Sequence, residues 1–187
     1  MFMKQLLYLL LFAAGFISCH KPEITQDLDG FVVYTIKKGE HSAGSSVSFR
    51  AGNSIECLGI LTESCIYTIN PEDQGDTNKL FGLSDALSHS DHSARFGWRY
   101  YNNQLEILAY VRRDGNFYYE VLGTVQPGET QRYRIEILND IYRFTFKDKV
   151  FDMKRTSKYT GTRYTLYPYF GGNQPAPQDI TIKLKKI

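Results

Sequence analysis

The sequence predicts an all-β protein that folds as an antiparallel β-sandwich or barrel, and three observations lead to this prediction. Short apolar runs alternate with polar residues at a period of two, which is the pattern of half-buried strands. Turn-forming residues separate these runs at intervals of about 8 to 12 residues. The 187 residues include 14 Tyr and 12 Phe, and these aromatic types favour pleated, half-buried surfaces.

The first half of the domain holds four predicted strands, at residues 31–36, 47–50, 55–61 and 65–69. Two longer polar segments, 70–78 and 85–94, show no strand pattern and are predicted loops. After Cys19, no window of about a dozen residues keeps the 3.6-residue period of a helix. We therefore expect strands throughout the domain.

The clearest strand signals lie in the second half. Three pairs of turn-forming residues separate the alternating runs: Asn102-Asn103, Asp114-Gly115 and Asn139-Asp140. The residues of the first two pairs tolerate positive φ, as a tight hairpin requires. We predict strands at residues 95–101, 104–113, 116–125, 131–138, 141–147 and 150–153, with a last strand that starts at Ile180.

The first residues of the chain are of a different kind. An apolar run over 6–17 follows Lys4 and is shorter than the ~20 residues that a membrane-spanning helix needs, so it indicates a secretory signal peptide. The run ends in FISC (16–19), which resembles the lipobox of bacterial lipoproteins and implies that Cys19 is diacylated. The alternative is an ordinary secretory signal that ends near a cysteine.

This interpretation divides the chain into three parts. We predict a signal peptide at 1–18, a lipidated amino terminus with a polar tether at 19–29, and the β-sandwich at 30–187. The acyl chains would hold the protein at a membrane of the cell envelope. His20 rather than Asp follows the cysteine, and resemblance to other lipoproteins then implies the outer membrane.

Charge and cysteines limit the remaining possibilities. The 22 Lys and Arg against 20 Asp and Glu give a net charge of +2, which indicates no polyanionic partner and no nucleic acid. Cys57 and Cys65 remain in a compartment that permits disulfides. On one extended strand they would lie roughly 26 Å apart, whereas a turn near 60–63 would let them face each other. We predict two free thiols.

Four segments resemble an uncharacterised family of Bacteroidetes surface lipoproteins: NKLFGLSD (78–85), HSDHSARFGWRY (89–100), LEILAY (105–110) and LYPYFGGNQPAPQDITIKL (166–184). They cover most of the domain in order. The resemblance implies a concanavalin A-like, laminin-G-like jelly roll of the lectin and glucanase type. It implies no particular chemistry.

Alternation on the strand at 95–101 separates core from candidate ligand residues. Trp98 is predicted on the core face, with stacking on a sugar as the alternative. Polar side chains on the opposite face and in the neighbouring loop form the predicted ligand site: Asn78, His89, Asp91, His92, Arg95 and Arg99. The cluster His89, Asp91 and His92 suits a metal as well, because imidazole and carboxylate are common metal ligands, and a solvated loop is the simpler alternative.

The polar loop at 70–78 offers oxygen ligands of the kind that calcium prefers, from Asp73, Asp76 and Asn78. Laminin-G-like domains often hold such an ion, so the resemblance supports a calcium site here. The alternative is a polar turn shaped by Pro71 and Gly75.

No catalytic residues are predicted. A retaining glucanase needs two carboxylates about 5 to 5.5 Å apart, usually in a Glu-x-Asp-x-x-Glu run, and the sequence has no such run. The segment 132–136 comes near the Arg-x-Glu-x-Arg of an alginate lyase but lacks its order, and a Gly-x-Ser-x-Gly elbow is missing.

The leading interpretation is a lectin-like envelope lipoprotein that binds a glycan. A second is a non-catalytic module that binds a surface protein in an assembly. A third is a glycoside hydrolase or polysaccharide lyase on the same fold, and a lipocalin-like barrel is a fourth.

Overall fold

A computed structural model describes residues 24–45 and 47–187 of the chain. The predicted signal peptide, Cys19 and the first part of the tether lie outside these residues. The described part confirms the predicted antiparallel β-sandwich, with thirteen strands in two sheets. Within it, no helix is long and apolar enough to cross a membrane, and the helical segment is a short 3-10 turn, Glu63–Cys65.

The first sheet has seven strands. In spatial order these are β1 (Ile24–Gln26), β2 (Val32–Ile36), β13 (Ile180–Lys186), β4 (Ser54–Leu61), β9 (Thr130–Ile137), β10 (Ile141–Phe146) and β11 (Lys149–Lys154). Each neighbouring pair is antiparallel.

The second sheet has six strands. In spatial order these are β3 (Ser48–Arg50), β12 (Arg163–Leu166), β5 (Asn78–Ser84), β6 (Ser93–Tyr101), β7 (Gln104–Arg113) and β8 (Asn116–Val125). One face of this sheet packs on the seven-stranded sheet. We call the opposite face, which points away from the core, the outer face.

The core between the sheets is rich in aromatic side chains. Phe96 of β6 meets Phe144 of β10 edge to face, with ring centroids 5.2 Å apart, and packs against Tyr133 of β9 at 5.0 Å. Trp98 is 0% exposed and lies edge to face with Tyr67 at 5.9 Å. The prediction that Trp98 belongs to the core is therefore confirmed.

Two tight hairpins join β6, β7 and β8 as the sequence predicts. Asn102 and Asn103 have φ values of 50° and 60°, and Asp114 and Gly115 have values of 51° and 77°. Both residues of a two-residue hairpin loop adopt positive φ when its twist matches the strands, which explains why Asn, Asp and Gly occupy these positions. These hairpins fix the register of the three strands.

One predicted strand is wrong, because residues 65–69 do not pair with a sheet. The chain leaves β4 at Leu61 and turns through the short 3-10 segment. Side chains bond this backbone instead: Gln74 Oε1 accepts from the Ile69 amide at 2.9 Å, and Gln178 Nε2 donates to the carbonyls of Ser64 and Ile66, both at 2.9 Å. Polar side chains thus replace the hydrogen bonds of a ladder.

Three of the observed strands, β1, β5 and β12, were not predicted. Residues of β12 alternate between buried and half-buried environments, but the strand is only four residues long. At the amino end, β1 pairs with β2, and Lys183 Nζ lies 3.0 Å from Asp27 Oδ2. The sandwich therefore includes residues that the sequence analysis assigns to the tether.

Candidate functional site

The outer face presents aligned rows of side chains where β5, β6, β7 and β8 lie side by side. The central row contains Gly82, Arg95, Tyr110 and Tyr119, each directly opposite the next in the strand register. A flanking row contains Ser84, Ser93, Arg112 and Phe117. Directly opposite side chains on one face are close enough to act together.

A glycine makes room for the arginine of the central row. A Cβ placed on Gly82 would lie 2.9 Å from Arg95 Cγ and closer still to the backbone of β6. Such contacts are too short for any side chain. Arg95 therefore lies across β5 at this position, and Gly82 is needed for it to do so.

Arg95 is almost completely buried, with 9% of its surface exposed. Among the described residues it forms no ion pair, and its Nε has no hydrogen-bond partner. Burial lowers its pKa to about 10, and Arg112 adds repulsion. The guanidinium still carries its charge at neutral pH. A buried cation without an acidic partner is costly in a folded protein.

Lys79 lies on the same face. Its Nζ donates to the Gly171 carbonyl at 2.9 Å and lies 5.2 Å from the Tyr110 ring centroid and 5.8 Å from that of Tyr169. Burial lowers the pKa of Lys79 to about 8, and repulsion by Arg95 and Arg112 contributes in the same direction.

A cleft of about 520 Å³ opens beside these cations, between the outer face and the loops 75–77 and 171–173. Its lining includes Lys79, Arg112, Asp76 and Asn173, together with Tyr110, Phe117 and Tyr119. The rings of Tyr110 and Phe117 are parallel, with centroids 6.1 Å apart. Phe117 is 58% exposed and Tyr119 is 48% exposed. The cleft thus combines accessible aromatic surfaces with charged and amide groups, which are the two elements of a sugar site.

The structure brings one predicted ligand residue in the loop, His89, close to Arg95. His89 Nδ1 is 3.0 Å from the Tyr164 hydroxyl, and its backbone amide donates to the same oxygen at 3.0 Å. Burial lowers the pKa of His89, with Arg95 and Arg112 as further causes. A neutral imidazole is therefore favoured here.

Arg99 lies on the outer face as predicted but already has partners. Its Nε donates to Glu106 at 2.6 Å and its Nη1 donates to the Gly75 carbonyl at 2.8 Å. Its guanidinium also lies 4.9 Å from the Tyr101 ring centroid. Arg99 is thus held by the protein itself and positions the loop that borders the cleft.

Asp91 and His92 are directed to a neighbouring turn. His92 Nε2 lies 3.6 Å from Asp114 Oδ1, and the Asp91 carbonyl accepts from the Gly115 amide at 3.3 Å. These contacts attach the loop to the β7–β8 hairpin. Neither residue lines the cleft.

The structure does not support Asn78 as a ligand for a sugar or for calcium. It is 1% exposed; its Nδ2 donates to the Tyr67 hydroxyl at 2.9 Å and its Oδ1 accepts from the Gly171 amide. Asp73 accepts from Asn70 at 2.7 Å, whereas Asp76 lines the cleft. Among the described residues, no three His, Cys, Asp or Glu side chains are grouped to hold a metal ion.

The most informative residues of this face were not predicted, namely Lys79, Tyr110, Arg112, Phe117 and Tyr119. Alternation along 104–113 could have identified Tyr110 and Arg112, because both lie an even number of positions from Glu106 and therefore on the same face of the strand. Their proximity to Lys79 depends on the order of the strands in the sheet, and alternation within one strand does not predict that order.

The acidic residues on the outer face determine whether it carries the carboxylate pair of a retaining glycosidase. Within the described strands β5 to β8, the carboxylate on this face is Glu106, and it is bound to Arg99. A retaining glycosidase needs two carboxylates about 5 to 5.5 Å apart. The described face therefore offers binding groups without that carboxylate pair.

Comparison with known proteins places the fold. No family model matches the chain, and no curated protein matches it. Solved structures do match. The alginate lyase AlyC3 is 13% identical, with a TM-score of 0.61 over 87% of this chain and 76% of the lyase. A family 16 endo-glucanase from Bacteroides ovatus is 9% identical, with a TM-score of 0.59 over 90% and 86%.

An alginate lyase from Klebsiella pneumoniae is similar to the same degree, with 11% identity and a TM-score of 0.57 over 88% of this chain and 83% of that one. The likeness establishes the fold. The chain has the jelly-roll sandwich of these proteins, as the sequence resemblance implied. Identities this low carry no residue of those enzymes over to this chain.

Proposed function

We propose that this protein binds carbohydrate through the cleft on the outer face of its six-stranded sheet, as a lectin-like domain without catalytic activity. The observation that carries the proposal is the exposed aromatic surface of Phe117 and Tyr119 beside the charged and amide groups of the same cleft. The fold likeness to glucan- and alginate-cleaving enzymes supports a sugar ligand.

A glycan array with the purified domain tests this proposal. The expected result is binding to a limited set of oligosaccharides, weakened by Tyr119→Ala and by Phe117→Ala. Stacking of one aromatic ring contributes about 1 to 3 kcal/mol in other aromatic-platform sites, so each variant should bind about 5- to 100-fold more weakly. Val150→Ala is the matched control, since Val150 is also exposed but lies on β11 of the other sheet. Binding to no oligosaccharide would refute the proposal.

The second candidate is a protein-binding module. β8 forms one edge of its sheet, and residues 116–121 are exposed on both of its faces. An exposed edge of this kind can accept a strand from another chain. A domain that captures a surface protein but no glycan would favour this function, and Tyr118→Ala, on the face opposite Tyr119, would then weaken capture.

We also propose that the protein is a lipoprotein of the outer membrane, acylated at Cys19. The FISC segment and the short apolar run support this proposal. Cells should incorporate labelled palmitate into the protein and retain it in the membrane fraction, and Cys19→Ala should abolish both. Equal labelling of the variant would refute acylation at this position.

A further inference from the structure

The outer face differs from the rest of the molecule in how its cations are paired. Arg163 is as buried as Arg95, with 5% of the residue exposed, and it binds the carboxylate of Asp85. The half-buried Arg155 binds the same carboxylate. Arg95 has no acidic partner within 4.0 Å among the described residues. In the part of the chain that the structure describes, the buried Arg163 thus has an acidic partner and the buried Arg95 has none.

Among the described residues, the hydrogen bonds of the two neighbouring cations, Arg112 and Lys79, go to neutral groups. Arg112 donates to the carbonyls of Ser90 and Gly115, at 2.8 Å and by a shorter bond of 2.5 Å. Lys79 donates to the Gly171 carbonyl. These carbonyls hold the cations in place without cancelling their charge. Asp76 is the acidic residue that lines the same cleft.

The strand register brings these cations close together, because Lys79 lies opposite Gly97 and Arg112 lies opposite Ser93, each two positions from Arg95 on β6. Arg95 and Arg112 both act to lower the pKa of Lys79, and both act to lower that of His89. Side chains that repel one another in this way occupy one small region of the outer face. The net charge of the chain, +2, does not reveal this local excess.

We propose that the cleft selects sugars that carry an anionic group. Lys79 and Arg112, which line the cleft, would lie beside that group, and the buried Arg95, next to the lining residue Tyr110, would add its uncompensated charge. Tyr110, Phe117 and Tyr119 would contact the rings. This inference names the ligand class of the site described above and so rests on the proposed function. The anionic oxygens belong either to the carboxylate of a uronate or to a sulfate ester, since arginine recognises both.

The physical reason is charge compensation. A cation that is buried without a partner gains more from a bound anion than an exposed lysine does, because water screens it little. Aromatic side chains exclude water from the same region and strengthen this interaction. A neutral sugar would leave the charge of Arg95 uncompensated in the complex.

The test uses an array of neutral, uronate-containing and sulfated oligosaccharides, with two matched pairs. Polygalacturonate oligomers are compared with their methyl esters, and dextran sulfate is compared with dextran. We expect the tightest binding among the anionic sugars, and the matched pair that shows the larger difference identifies carboxylate or sulfate as the group. Arg95→Gln should weaken binding of the preferred anionic sugar by about 10- to 100-fold.

Arg132→Gln is the control, because it removes the same charge from the seven-stranded sheet, where the Arg132 side chain is 68% exposed. It should leave the affinity within about twofold, since exposed charges are screened. Arg95→Lys keeps a cation and should bind more tightly than Arg95→Gln. If Arg95→Gln does not fold, Lys79→Gln provides the same comparison.

Three results are distinguishable. Preference for anionic sugars that depends on Arg95 and not on Arg132 supports the inference. Preference for neutral sugars, or equal loss in both variants, overturns the inference while the proposed function stands. Binding to no sugar in the array overturns the proposed function and this inference with it.

Discussion

The carboxylate of Asp85 accepts a hydrogen bond from Arg163 Nη2 at 2.9 Å, in a buried ion pair where β5 ends and β12 begins. Arg155 binds the same carboxylate through Nε at 2.6 Å, and the Tyr142 hydroxyl donates to it at 2.8 Å. Because Tyr142 belongs to β10, this cluster joins the two sheets at one end of the sandwich. Polar contacts thus hold the two sheets together here, whereas aromatic contacts hold them together in the core.

Asp85→Asn should therefore destabilise the domain strongly. The substitution keeps the size of the side chain but leaves two buried guanidinium groups without a countercharge, and breaking such a cluster costs about 3 to 5 kcal/mol. Urea unfolding monitored by the fluorescence of the single Trp measures the loss. Asp152→Asn, which breaks the exposed pair with Arg143, is the control and should have a much smaller effect. Equal losses would show that the Asp85 cluster contributes no more than a surface pair.

Trp98 should report a core environment. It is 0% exposed, so its emission should be blue-shifted and acrylamide should quench it weakly in the native protein. Trp98→Ala should cost about 3 to 5 kcal/mol of stability. Phe117→Ala, at an exposed ring, should leave the unfolding midpoint nearly unchanged. Strong quenching of the native protein would contradict the packing described.

Both cysteines should resist alkylation until the protein unfolds. Cys57 and Cys65 are buried and unbridged, as the sequence predicts, and burial raises the pKa of each thiol well above its usual range. The reactive thiolate is therefore scarce in the native state. Mass spectrometry of the peptides that contain Cys57 and Cys65 should show no added groups after iodoacetamide treatment in buffer and one on each cysteine in denaturant. An intact mass two units lower would instead reveal a disulfide.

Binding of an anionic sugar should weaken as the pH rises through about 8. Burial, with Arg95 and Arg112, lowers the pKa of Lys79 to about 8, while Asp76 acts in the opposite direction and Tyr110 and Tyr169 face the ammonium group. Above this pH the free protein loses the charge of Lys79, and an anion binds the protonated form better. The expected decline is at most about tenfold per pH unit, the limit for one coupled proton.

Titration of the affinity from pH 6 to pH 9, below the pKa of Arg95, measures this dependence. Lys79→Arg should flatten the curve, because a guanidinium at this position keeps its charge over the whole range. A curve that is unchanged in this variant would show that another group titrates.

Local sequence pattern predicted most of the strands, and the reasons are visible in particular residues. Phe96 and Trp98 alternate with Arg95 and Arg99 because a strand turns successive side chains to opposite faces, so the two sides of β6 could be assigned in advance. The positive φ of Asn102 and Asp114 likewise follows from residue types that tolerate it.

The pattern failed where distant side chains replace local pairing. Residues 65–69 look like a strand, but Gln74 and Gln178 hydrogen-bond this segment, and it pairs with no strand among the described residues. Asn78 looked like a surface ligand, yet the β5 strand buries it against Tyr67. Arg95 was predicted as a candidate, but its lack of an acidic partner could be seen only after the sheets were assembled.

The two tight hairpins have a consequence for how binding preference can change. Arg95, Tyr110 and Tyr119 belong to a single meander, β6 to β8, that runs through 93–125 without a long connection. Outward positions on this short stretch can vary while their inward neighbours keep the core intact. A library of variants restricted to these outward positions would therefore vary which ligands bind while leaving the core side chains of the three strands unchanged.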